Sequence, residues 1–139
     1  MQQRAIMCVL CSAAIVCLLG VAHWVLTFFS DKFQPRDQSL LLHLQRESPQ
    51  LTRQTSMWRA WIGFNASHSL GAIFFGLNLG YFALVEPAIL MNSYFLQGLS
   101  LTFLLGYVLL ARRYWFNIPL RGCMAASLLF IAAILLWHN

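Results

Sequence analysis

Three stretches of this chain, residues 5–29, 60–85 and 87–111, contain no Asp, Glu, Lys or Arg. Each is longer than the roughly 20 residues with which a helix crosses about 30 Å of hydrocarbon. A fourth run, 118–137, holds only Arg121, which sits in its first turn where a long side chain reaches the headgroups. The expected fold is an all-α integral membrane protein, a four-transmembrane-helix bundle that occupies residues 1–139 as one domain. Composition agrees: 9% of the residues are charged, against about 25% in a water-soluble domain.

The connections are unequal. Residues 30–59 form a long polar loop, Glu86 and Pro87 a tight turn, and residues 112–117 a short basic and aromatic loop. Short connections make the second, third and fourth helices sequential antiparallel neighbours. Pro87 and Pro119 suit helix starts, where a missing N–H costs nothing. Within the long loop, Leu40, Leu41 and Leu44 lie between Pro35 and Pro49. Their spacing fits either a short amphipathic helix on the membrane surface or a polar loop without fixed structure.

The net charge of +5 comes from nine Lys and Arg against four Asp and Glu. Eight of the cations (Lys32, Arg36, Arg46, Arg53, Arg59, Arg112, Arg113 and Arg121) fall on the side of the first and third connections, and only Arg4 falls on the other. The positive-inside rule then places the long loop in the cytoplasm and both termini outside, in a bacterial inner membrane. Trp58, Trp61, Tyr114, Trp115 and Phe116 flank those cations at headgroup level, and Tyr81, Tyr94 and Trp137 do so opposite. Arg4 and the run after it also resemble a secretory signal peptide with a small-residue site near Gly20 and Ala22. Cleavage there would place all eight cations outside, so a retained helix is the better reading.

Lipid provides no hydrophobic drive for helix association, so contact faces are sought among small residues. Gly63, Ser67 and Gly71 form one stripe on the second helix and Ala72, Gly76 and Gly80 another, while Gly98, Thr102 and Gly106 repeat the pattern on the third. These faces suit packing within the chain, self-association or a membrane-protein partner, with the lipid bilayer as the remaining neighbour. The cations are accounted for by the membrane faces, and no nucleic-acid partner is expected.

Polar side chains at membrane depth need a partner or a purpose. His23 of the first helix and His68 of the second both lie roughly 10 to 14 Å from the basic face at 1.5 Å per residue. If they meet, two neutral imidazoles could bind a haem iron from opposite sides or share a proton path. Asn65, His68 and Ser69 form a second candidate, a polar cluster for a small ligand. The plainer expectation is that these side chains bond one another or a neighbouring carbonyl. His43 and His138 read as surface histidines.

Cys8 and Cys11 make a C-x-x-C pair on the first helix. Apolar surroundings raise a thiol's pKa and keep it inert. The quinone-linked disulfide reductases that this pair resembles also rely on a loop-borne cysteine pair, and here Cys17 and Cys123 lie in helices too. Small four-helix drug exporters resemble the chain in size, but their proton coupling depends on a carboxylate within a span, and no span here has one. The sequon at Asn65 falls inside a helix and is a false positive. There is no zinc-protease helix, phosphate loop, nucleophile elbow or dinucleotide turn, so neither a catalytic residue nor a metal site is assigned and no enzyme is expected.

The segment WIGFNASHSLG at 61–71 resembles a stretch in small uncharacterised bacterial four-helix membrane proteins. That resemblance covers about a tenth of the chain and implies no activity; it directs attention to Asn65, His68 and Ser69. The functional expectation is a non-enzymatic accessory or structural membrane component. The alternatives are a haem-carrying or redox-active subunit that uses His23 and His68, and a small-ligand binder or transporter with its pocket at Asn65 and His68.

Overall fold

A computed structural model describes residues 1–139. The chain is all-helical, with α1 over Gln2–Phe29, α2 over Gln38–Arg46, α3 over Met57–Val85, α4 over Pro87–Asn92, α5 over Tyr94–Tyr114 and α6 over Asn117–His138. Four of these, α1, α3, α5 and α6, are long and apolar enough to cross a membrane. At most 33% of the apolar stretch of each is buried within the chain, so most residues of these stretches keep some of their surface outside the chain's own packing. In a soluble domain, apolar surface on this scale would mark an interaction site.

The largest boundary difference from the sequence expectation lies in the third run. The third run was expected to be continuous over 87–111, but the chain leaves helical geometry at Ser93 (φ −98°, ψ 106°). The Ser93 Oγ accepts the Leu96 N–H at 3.3 Å and so caps α5. Gln97 Nε2 reaches back 2.6 Å to the Met91 carbonyl at the end of α4, satisfying an acceptor that has no next turn. The membrane-length helix is therefore Tyr94–Tyr114, with α4 as a separate short helix that starts, as expected, on Pro87. The residues before the second run's charge-free start also join its helix: Met57 opens α3, with the Ser56 Oγ accepting the Arg59 N–H.

Two compact units divide the chain. The first comprises Met1–Leu19 and Ala72–Asn139. Its core is made of Val9, Ala13 and Val16 from α1, Ala72, Leu79 and Ala83 from α3, Leu90 and Met91 from α4, Leu104 from α5, and Ala126, Phe130 and Ala133 from α6. Small residues set how closely these helices approach. A Cβ at Gly76 would lie 2.8 Å from the Ala13 carbonyl oxygen and 2.9 Å from Cys17 N and Cβ, so α3 meets the α1 backbone at a point that only glycine allows. Ser12 Oγ donates to the Ala126 carbonyl at 2.8 Å and joins α1 to α6. Phe75 and Phe103 stack with centroids 4.0 Å apart between α3 and α5.

The second unit is Gly20–Gly71, which holds the end of α1, α2 and the start of α3. The chain between Pro35 and Pro49 forms α2, started by Asp37, whose carboxylate accepts the Ser39 N–H and hydroxyl, each at 2.8 Å. Leu41 is its buried residue, and the Glu47 carbonyl accepts the Met57 N–H at 2.8 Å, tying the end of α2 to the start of α3.

Candidate functional site

His23 and Asn65 meet inside the second unit. His23 Nε2 lies 2.9 Å from Asn65 Oδ1, while Asn65 Nδ2 donates to the Trp61 carbonyl at 2.8 Å. A carbonyl only accepts, so the amide must turn its NH2 towards Trp61 and its oxygen towards His23. That fixes the imidazole: Nε2 carries the proton and donates it. Ser69, fully buried, donates back to the Asn65 carbonyl at 2.9 Å. Asn65 is thus engaged through both ends of its amide and its backbone. No buried side-chain polar atom in the chain is without a hydrogen-bond partner, as buried polar groups in low dielectric require.

His68 follows Asn65 by three residues and so shares its side of α3. Its ring stands edge-on to that of His23, with centroids 5.3 Å apart and planes at 69°. Phe33, from the segment after α1, also packs on His23, with ring centroids 4.6 Å apart and planes at 53°. Ser67 turns away, is exposed, and bonds the Phe64 carbonyl of its own helix. The structure therefore brings His23, Asn65, His68 and Ser69 into one place.

This packing does not fit a haem. Two axial imidazoles must stand on opposite faces of a flat macrocycle with a lone pair of each aimed at the iron. Here the rings are in edge contact, with no macrocycle-wide gap, and His23 Nε2 is a donor to Asn65. No group of three or more His, Cys, Asp or Glu side chains is placed to hold a metal ion. All four cysteines are free; Cys8 packs on the first unit's core while Cys11 points outward.

An open volume in this unit lies one turn further along α1. A cavity of about 570 Å³ is lined by the last residues of α1 (Thr27, Phe28 and Phe29), by Ser30, Asp31, Phe33 and Gln34 after it, and by Trp58 and Ile62 of α3. Neither Asn65 nor His68 lines it. Its volume is in the range of small-molecule sites. Sequence reading passed over Thr27, Phe33 and Asp31 because they fall where helical periodicity ends. The only signal was a cluster of Phe around a single acid at the end of an apolar run.

A second polar cluster sits in the first unit. His138 Nε2 lies 3.3 Å from Gln97 Nε2, Tyr94 stacks over the His138 ring, and Trp137 Nε1 donates to Asn92 Oδ1 at 2.9 Å. His138 is exposed, as expected of a surface histidine, and through these contacts it joins the end of α6 to the start of α5.

No family model, curated protein or solved structure matches the chain. What the protein does has to be argued from its own surfaces.

Proposed function

We propose that the chain is a multi-pass protein of the bacterial inner membrane, a four-helix bundle with both termini outside and residues 30–59 in the cytoplasm. Its role is that of a non-enzymatic accessory or structural component that packs through a helix face against a second copy of itself. The observation that carries this reading is the outer face of α5. A Cβ added at Gly98 or Gly106 would meet nothing within 4 Å. Thr102 between them turns its hydroxyl inward to the Gly98 carbonyl, and large apolar side chains, Phe95, Leu99, Leu105 and Leu109, are exposed around the stripe. The chain's own packing uses the glycine at position 76 and leaves this stripe open, which is the arrangement that lets another helix approach closely.

Orientation rests on the cations. Eight of nine fall in or beside the first and third connections between the four long helices, and the bias in Lys and Arg sets which loops stay in the cytoplasm. The absence of an Asp or Glu in any span and the full pairing of buried polar atoms favour a structural role over proton-coupled transport or catalysis.

The test has two parts. The protein should stay in membranes washed with alkaline carbonate, and a C-terminal reporter that is active only outside the cytoplasm should be on. For the partner face, a cysteine placed at Gly98 in a chain whose four native cysteines are replaced should form a disulfide-linked dimer in native membranes. A cysteine placed at Met124, on exposed α6, should not. A monomer at position 98 under conditions that oxidise a known membrane dimer would remove the self-association reading.

A further inference from the structure

The cavity at the end of α1 combines three features that attract positive charge. The first is aromatic surface: Phe28, Phe29, Phe33 and Trp58 all line it, and the face of each ring is the negative part of its quadrupole. The second is a free carboxylate oxygen. Asp31 Oδ1 accepts the Gln34 side chain at 2.8 Å, and Asp31 has no further side-chain partner and no ion pair in the chain. The third is the helix end. Thr27, Phe28 and Phe29 are the last three residues of α1, whose final-turn carbonyls have no following N–H to accept from and carry the negative end of the helix dipole. The Ser30 hydroxyl closes on only one of that turn's carbonyls, that of Leu26, at 2.7 Å.

Lining composition decides the sign of the ligand. The surrounding segment is basic, with Lys32 and Arg36 close in sequence, and a basic loop by itself would point to anions. Yet neither of these, nor any other Lys or Arg, lines the cavity, and Asp31 is its one charged residue. Rings, carboxylate and carbonyls together discriminate against an anion and reward a cation whose surface is partly apolar. A small inorganic ion is a poor match for a volume of about 570 Å³.

We infer that this cavity is a binding site for an organic ammonium group, held by the carboxylate of Asp31 and the rings of Phe33 and Trp58. Such a group has two sources, a phospholipid headgroup that carries an amine and a free organic cation. Phe33 also packs on His23, so an occupant of the cavity abuts a side chain in contact with the part-buried His23 and Asn65 pair.

The experiment uses the full chain in nanodiscs of phosphatidylglycerol, a lipid without an ammonium group, with labelled choline and labelled ethanolamine as probes. Saturable binding of at least one probe is expected, weakened about tenfold in Asp31→Asn and in Trp58→Leu but retained in Trp58→Phe, since cation–π and carboxylate contacts each contribute on that scale. Repeating the measurement in discs containing phosphatidylethanolamine separates the sources. Loss of probe binding there assigns the site to the lipid headgroup, and unchanged binding assigns it to a soluble cation. No saturable binding of either probe overturns the inference, as does binding that Asp31→Asn and Trp58→Leu leave unchanged while both variants keep the parent's thermal unfolding profile. Asp31 is exposed and the Asn variant is isosteric, so the folded state is retained for that comparison. The outcome is independent of whether the α5 face self-associates.

Discussion

Asn65 and His23, forty-two positions apart, share a 2.9 Å hydrogen bond in which the imidazole donates and the amide oxygen accepts. The direction follows from the other end of the amide, which donates to Trp61. A bond of this kind between two helices is modest in net value, but removing one partner leaves the other part-buried without its hydrogen bond. Asn65→Ala should therefore destabilise the protein by about 1–3 kcal/mol, and Asn65→Leu by a similar amount despite the added apolar volume. In the double variant with His23→Leu the stranded donor is gone, and the loss should be smaller than the sum of the two single losses. Thermal unfolding of the four proteins in one detergent gives the cycle; strict additivity would show that the bond carries no coupling.

The two kinds of glycine on the long helices should respond oppositely to one methyl group. Gly76→Ala drives a Cβ into the Ala13 carbonyl oxygen at 2.8 Å and into Cys17. The first of these is backbone and cannot rotate away, so α1 and α3 must separate, at about 1–3 kcal/mol. At Gly63 and Gly98 an added Cβ meets nothing within 4 Å in the single chain, and alanine there should leave the stability of the monomer in detergent unchanged or raise it by about 0.5–1 kcal/mol through helix propensity. Unfolding midpoints of the three variants decide the matter, and equal losses at all three would contradict the packing described.

Much of this contrast lies beyond sequence reading. The four long helices are legible because a helix long enough to cross hydrocarbon needs about 20 residues with little charge, and such runs are visible by inspection. The break at Ser93 is not legible, because an Asn and a Ser inside such a run change neither its charge nor its length; only the cap to Leu96 and the reach of Gln97 to Met91 end one helix and start another. Small-residue spacing likewise identifies stripes without saying which one meets a neighbour. Gly76 and Gly98 read alike, and only the placement of α1 distinguishes them. At the site, the depth of His23 and His68 along their helices is countable at 1.5 Å per residue, but the partner of His23 depends on helix rotation. Asn65 precedes His68 by one helical turn, and both residues fit the same count. Phe33, Asp31 and Trp58 have no periodicity that would place them round a cavity.

Asp37 gives a pH dependence with a definite sign. The Ser39 hydroxyl and the Ser39 N–H hold its carboxyl below the usual value of 3.8, because both donate to the charged form. A carboxyl whose folded pKa is lowered adds stability that is fully present above its unfolded pKa, about 3.9, and is lost as pH falls through the lower folded value. The start of α2 should thus be intact at neutral pH and fray only in acid below the ordinary carboxylate range. Amide exchange at Ser39, followed downward from pH 6, should lose protection there, and Asp37→Asn, which can still accept a hydrogen bond, should remove most of the pH dependence. Fraying that begins near neutrality would show that Asp37 is not its cause.

The contact between His23 and His68 makes a spectroscopic prediction that separates a structural pair from an electron carrier. Bis-histidine ligation needs each ring to offer a lone pair to an iron lying between them in a macrocycle. In this chain the rings meet edge-on at 5.3 Å, Phe33 packs on His23 at 4.6 Å, and His23 Nε2 holds its proton for Asn65. To accept haem, the second unit would have to break that hydrogen bond and move α1 and α3 apart, leaving the Asn65 amide oxygen buried without its donor. Protein purified in detergent from cells amply supplied with haem should show no Soret band, oxidised or reduced by dithionite. A Soret band with a sharp reduced α-band, abolished by His23→Ala or His68→Ala, would mean that these helices separate in the membrane and that the histidines are ligands.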